Sequence, residues 1–116
     1  MKRLLRAALN SWHGLAAAAR SEAAFRQELV LLVVGVPAAF WLTPSAGERL
    51  ALIRALAALL IVELLNTAIE KLADRVTLER DDVVRRVKDM GSAAVGLTIL
   101  LAVATWAVIA WQRLGL

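Results

Sequence analysis

Apolar and polar positions alternate in two different styles along this chain. Between residues 2 and 20, Leu4, Leu5, Ala8, Trp12, Leu15 and Ala19 recur at spacings of three and four, while Arg6, Asn10, His13 and Arg20 fall on the opposite side. That period predicts an amphipathic surface helix over 2–20, a basic, Trp-bearing helix lying on the anionic headgroups of a membrane. Beyond it the periodicity gives way to long apolar runs. Residues 29–47 carry no charge, residues 50–69 are apolar apart from Arg54, Glu63 and Asn66, and residues 90–112 are again uncharged. A helix needs about 20 residues to cross the ~30 Å hydrocarbon layer. The runs therefore predict spans at about 26–43, 49–70 and 90–111, the first only if its flanks extend the helix. Pro37 lies inside that first span and is expected to kink it or cost it a backbone hydrogen bond.

Composition supports this reading. The 116 residues are 60% hydrophobic, with a mean hydropathy of +0.67, more apolar than a soluble domain of this size can be while covering its surface. The length allows one domain, 1–116. A cleaved signal peptide does not account for the pattern, because the first long apolar run begins only at Leu29 and two more follow. With no cysteine, disulfides and thiolate metal sites are excluded, and neither common glycine-rich nucleotide loop is present. A nucleic-acid partner is not expected.

Charge placement sets an orientation. Lys2, Arg3, Arg6, Arg20 and Arg26 precede the first span, and Lys71, Arg75, Arg80, Arg85, Arg86 and Lys88 separate the second from the third. The other two connections hold only Arg49 and Arg113. The excess of basic residues on the cytoplasmic side of membrane proteins predicts an N-in, C-out, all-α protein. Trp41, Trp106 and Trp111 then fall near the outer span ends, where interfacial aromatics belong.

Glu63 is the costliest residue in this pattern. A carboxylate within a span usually faces a bundle interior or a watery cavity. Asn66 and Glu70 follow it at i+3 and i+7, on the same helical face. A carboxylate in apolar surroundings is a stronger base than one in water, which suits removal of a proton from an alcohol. The structural alternative, pairing with Arg54, is disfavoured because nine residues of helix separate the two by about 13 Å. Two more polar clusters flank the spans: Glu22, Arg26 and Glu28 before the first, Lys88, Asp89 and Ser92 before the third. Together the three clusters place carboxylates suited to Mg²⁺ and cations suited to phosphate at one membrane boundary. Taken singly, each is ordinary snorkelling charge. The small-residue run Gly91-Ser92-Ala93-Ala94-Val95-Gly96 would let helices approach closely, and a three-span bundle is thin enough to call for homo-oligomerisation.

Three blocks resemble the small integral-membrane diacylglycerol kinases of bacteria. They are Glu22-Ala23-Ala24-Phe25-Arg26-Gln27-Glu28, Glu63-Leu64-Leu65-Asn66-Thr67-Ala68-Ile69-Glu70 with Asp74-Arg75, and Lys88-Asp89-Met90-Gly91-Ser92-Ala93-Ala94-Val95. Asn10-Ser11-Trp12 and Gly14-Leu15 resemble the family's surface-helix region, and the likeness covers essentially the whole chain. The resemblance implies a homotrimer with composite sites at subunit boundaries, in a bacterial inner membrane. It implies Mg²⁺-dependent phosphorylation of sn-1,2-diacylglycerol by ATP, giving phosphatidic acid, with the site facing the cytoplasm. By the same likeness, Glu63 falls on the catalytic base, with Asn66 beside it, and Glu22 and Glu70 fall on the metal-binding carboxylates. Lys88, Asp89, Glu22 and Glu70 are the implied nucleotide contacts, and Arg3, Ser92 and Glu63 the implied lipid contacts. Thr67 stands where many relatives have Ser, and residues 77–82 cannot be matched singly. Two other readings stay open: an undecaprenol kinase of the same fold, and a small proton or cation transporter subunit using Glu63. The run after Lys88-Asp89 resembles the diacylglycerol branch more than the polyprenol one. A transporter gives no reason for the two flanking clusters.

Overall fold

Three breaks in helical backbone divide the chain, and each has a local cause. Glu22 is extended (φ −121°, ψ 113°), and Arg26 reaches back from the next helix to donate to the carbonyls of Ala19 at 2.8 Å and Arg20 at 3.2 Å. Those carbonyls belong to a helix end that lacks backbone partners of its own. Thr43 precedes Pro44, which disfavours helical backbone before it, and Ser45 caps the next helix by accepting the Glu48 N–H at 3.3 Å. At the third break, Asp81 accepts from the Val83 and Val84 N–H groups at 2.9 and 3.0 Å.

The computed structural model describes all 116 residues and contains four helices: α1 (Lys2–Ser21), α2 (Ala23–Leu42), α3 (Ala46–Val76) and α4 (Asp82–Leu114). The last three are long and apolar enough to cross a membrane, which fits a multi-pass membrane protein. The flanks do extend the first span: α2 has 20 residues, about 30 Å of helix, and runs unbroken through Pro37. α3 and α4, of 31 and 33 residues, reach about 46 and 50 Å and must project beyond the hydrocarbon. The basic stretch 71–88, expected as a connecting segment, is therefore mostly helix, with only 77–81 between the two helices.

α3 packs against both other long helices and holds the bundle together. At the end nearer α1, Ala18, Phe25 and Leu60 form one buried cluster; at the other end Ala39, Leu52 and Ile109 form a second. Between them Gly35 lets α2 meet α3, since a Cβ there would overlap Leu56. Trp106, expected near an outer span end, does not point away from the bundle. It turns inward from α4 and its Nε1 donates to the Leu52 carbonyl at 3.1 Å, packing on the second cluster. An indole between two helices buries its ring and still satisfies its N–H.

A polar knot ties the three long helices at the far end. The buried Thr43 hydroxyl donates to Glu48 Oε1 at 2.8 Å and accepts the Ser45 N–H, while Arg113 donates to the same Glu48 oxygen at 2.8 Å. Arg49 donates to the Thr43 and Phe40 carbonyls and lies 4.3 Å from the centre of the Phe40 ring. Elsewhere, large apolar side chains such as Val30, Val33, Leu97, Leu100 and Leu101 are exposed. Surface of that kind belongs against lipid or another subunit. α1 buries only Ala18 and leaves Leu4, Leu5 and Trp12 uncovered, as an interfacial helix would. Within a single chain the run 91–96 serves only partly as a packing surface: Gly91 is buried, but Gly96 meets nothing within 4 Å.

Candidate active site

The buried face of α3 changes chemistry partway along its length. Leu52, Leu56, Leu59 and Leu60 are followed by Glu63, Asn66 and Thr67, all less than a tenth exposed. The helical period that buries the leucines also turns these polar side chains inward. Asn66 Nδ2 donates to Glu70 Oε1 at 3.3 Å, so the shared face expected from the spacing is realised as a hydrogen bond. Glu63 has no such partner, and none of the three ion pairs in the chain involves it. Glu70 and Glu22 lie within electrostatic reach of it, and Glu28 on α2 feels its charge in turn. One Glu28 carboxylate oxygen, Oε2, is buried without a hydrogen-bond partner. Four carboxylates from two helices and the break between α1 and α2 thus meet in one region.

Their cationic counterparts stand at its rim. Lys71, one turn beyond Thr67, lies 3.6 Å from Glu22 Oε1 and donates to the Ser21 hydroxyl at 3.1 Å, tying the α1–α2 break to α3. Lys88 on α4 pairs with Asp74 on α3 at 2.6 Å. Neither lysine pairs with Glu63. Such crowding of anions is unfavourable unless protons or cations join it. The oxygen donors of Glu22 and Glu70 suit Mg²⁺ in kind. No three acidic or histidine side chains gather closely enough to enclose a metal. An ion here would complete its shell from water and phosphate, as Mg²⁺ commonly does.

The remaining expected residues lie outside the cluster, and Arg3 is about 27 Å along α1 from Ser21. Asp89 and Ser92 are exposed on α4 near Lys88, and Arg3 is exposed on α1. Gly91, between them, is buried against Asn66. Two cavities open beside this region. One of about 460 Å³ lies between α1 and α3 and is lined in part by Ser11, Gly14, Leu15, Ser21, Thr67 and Lys71. Another of about 180 Å³, at the 77–81 turn, is lined by Arg80, Arg85 and Lys88 among others. Three contributors escaped the sequence reading: Lys71 as the partner of Glu22, Asp74 as the partner of Lys88, and Gly91 as the neighbour of Asn66. Asp74 stood within a matching block but without a role, and opposite charges there were the available signal.

Comparison with known proteins supplies the family. The family profile "Prokaryotic diacylglycerol kinase" matches residues 9–110. Diacylglycerol kinase of Escherichia coli (strain K12) is 46% identical over 113 residues, covering 97% of this chain and 93% of its own length. Its namesake from Pseudomonas aeruginosa is 50% identical over 109 residues, covering 94% and 89%. That from Haemophilus influenzae is 34% identical over 96 residues, covering 83% and 81%.

Proposed function

Because this chain belongs to the prokaryotic diacylglycerol kinase family and is a kinase, we propose that it transfers the γ-phosphate of ATP to the free hydroxyl of sn-1,2-diacylglycerol, giving phosphatidic acid and ADP. The observation that carries the reading is Glu63: a buried carboxylate with no cationic partner on the polar end of an apolar helix, near Glu70 of the same helix and Glu22 at the α1–α2 break. Glu63 accepts the hydroxyl proton as the oxygen attacks phosphorus. Asn66 holds Glu70 in place through its amide. Glu22 and Glu70 would hold Mg²⁺, which supplies charge neutralisation on the nucleotide phosphates when bound. Lys88, released from Asp74 or sharing it, meets the phosphate charge, with Asp89 beside it on the nucleotide. Ser92 and Arg3 meet the lipid. Phosphoryl transfer asks mainly for positioning and charge stabilisation, which these groups can give.

The site lies where lipid arrives from the bilayer and nucleotide from water. In this reading the N-terminus and the 77–81 turn face the cytoplasm, the C-terminus lies outside, and the membrane is a bacterial inner membrane. The basic residues of α1 and of 71–88 support that orientation. The uncovered apolar surface supports homo-oligomerisation, and the family resemblance supports three copies, with a neighbouring copy completing each site.

The test is turnover by protein purified in mixed micelles with Mg·ATP, offering diacylglycerol and undecaprenol in parallel. Faster phosphorylation of diacylglycerol is expected. A preference for undecaprenol would retain the chemistry and overturn the substrate.

A further inference from the structure

Gly91 is the first buried residue of α4, and it lies against Asn66 of α3. A Cβ built on it would overlap Asn66 Oδ1 and would stand 3.2 Å from Cγ and 3.9 Å from Cβ. The space that a side chain at 91 would fill is therefore already taken by the Asn66 amide. The amide has one sensible orientation there. Its Nδ2 donates to Glu70 Oε1 at 3.3 Å, and flipping the amide would replace that donor with an acceptor oxygen. Its Oδ1 is left buried, without a hydrogen-bond partner.

Nothing local asks for glycine at 91. Its backbone is helical, and the only glycine with positive φ is Gly115. Inside a helix, glycine is less favourable than alanine. The requirement comes from the neighbouring helix. We infer that Gly91 is a positioning residue for phosphoryl transfer: by lacking a side chain it lets α4 close on Asn66 and fixes the rotamer that turns the Asn66 amide toward Glu70. This rests on the reading of Asn66 and Glu70 as site residues. An alanine at 91 would push the amide off Glu70 or hold α4 away from α3, and either shift disturbs groups whose placement matters at the ångström scale.

The test is a cycle of Gly91→Ala, Asn66→Ala and the double variant, each as the full chain in lipid-containing micelles. Thermal midpoint is read alongside kcat and KM for Mg·ATP and diacylglycerol. Gly91→Ala is expected to lower the midpoint and to reduce kcat by about 100-fold. In the Asn66→Ala background the two closest atoms are gone, and the nearest contact left to the added methyl is at about 3.9 Å, ordinary van der Waals distance. There the same substitution should no longer lower the midpoint, and kcat should fall no further than in Asn66→Ala alone. If Gly91→Ala does not fold, recovery of folded protein in the double variant supports the same contact. Equal destabilisation in both backgrounds would overturn the inference, and so would a Gly91→Ala enzyme with unchanged kcat. Full activity of Asn66→Ala would instead remove Asn66 from the transfer site and overturn Gly91's role in positioning it. The stability coupling between the two residues would survive that result, so the two failures are distinguishable.

Discussion

Glu63 is 8% exposed and has no salt bridge or hydrogen bond within the chain. Burying a carboxylate without a partner costs folding free energy, and a group kept at such expense usually works in function rather than in stability. Glu63→Gln should therefore abolish most turnover yet raise stability by about 1 kcal/mol, read as a higher thermal midpoint. A lower midpoint would mean that the carboxylate holds the bundle together. Lys88 poses the converse case. Its pair with Asp74 is short, but the two side chains are 39% and 48% exposed, so solvent screens it and it contributes less than about 1 kcal/mol. Lys88→Met and Asp74→Asn should both leave the thermal midpoint nearly unchanged. Only Lys88→Met should raise KM for ATP by tenfold or more (about 1.4 kcal/mol of binding). Equal kinetic effects from both would mean that the ion pair itself, and not the free lysine, serves the nucleotide.

At the scale of elements, α3 does most of the organising, with leucines toward one end of its buried face and Glu63, Asn66 and Thr67 toward the other. The far-end knot tests whether stability and chemistry separate along it. Thr43→Val removes a buried hydroxyl that both donates to Glu48 and accepts from Ser45. A loss of about 1–3 kcal/mol is expected, with kcat unchanged because the substitution lies at the opposite end from Glu63. A drop in kcat at a temperature where the protein stays folded would show coupling between the two ends. The helices were readable in advance because a span must be long and apolar and because Glu63, Asn66 and Glu70 fall on one helical face. What remained hidden was which face meets which helix. Trp106 has the sequence position of an interfacial aromatic, yet it bonds to the Leu52 carbonyl. Gly91 reads as one of several small residues, yet only the approach of α3 makes it necessary. The stretch 71–88 reads as a basic connection because its charges end the apolar runs, although helix continues through most of it. Likewise Lys71 and Glu22 are far apart in sequence, so only the packing of the α1–α2 break on α3 reveals their pairing.

The whole molecule is a thin bundle, 52 × 41 × 21 Å, with most of its apolar side chains uncovered. Its orientation can be tested cleanly because the chain has no cysteine. With Glu79→Cys or Gly115→Cys as the sole thiol, an impermeant maleimide applied to intact spheroplasts should label position 115 and spare 79. The reverse pattern would invert the assigned topology. In the mechanism we propose, a base at Glu63 serves phosphoryl transfer to a lipid hydroxyl. The most direct measurement is the initial rate of phosphatidate formation by purified, folded Glu63→Gln protein beside the parent, with saturating Mg·ATP and diacylglycerol. A fall in kcat of about 100-fold or more is expected, the range that loss of a general base produces. A Glu63→Gln enzyme that keeps the parent's kcat would contradict the account.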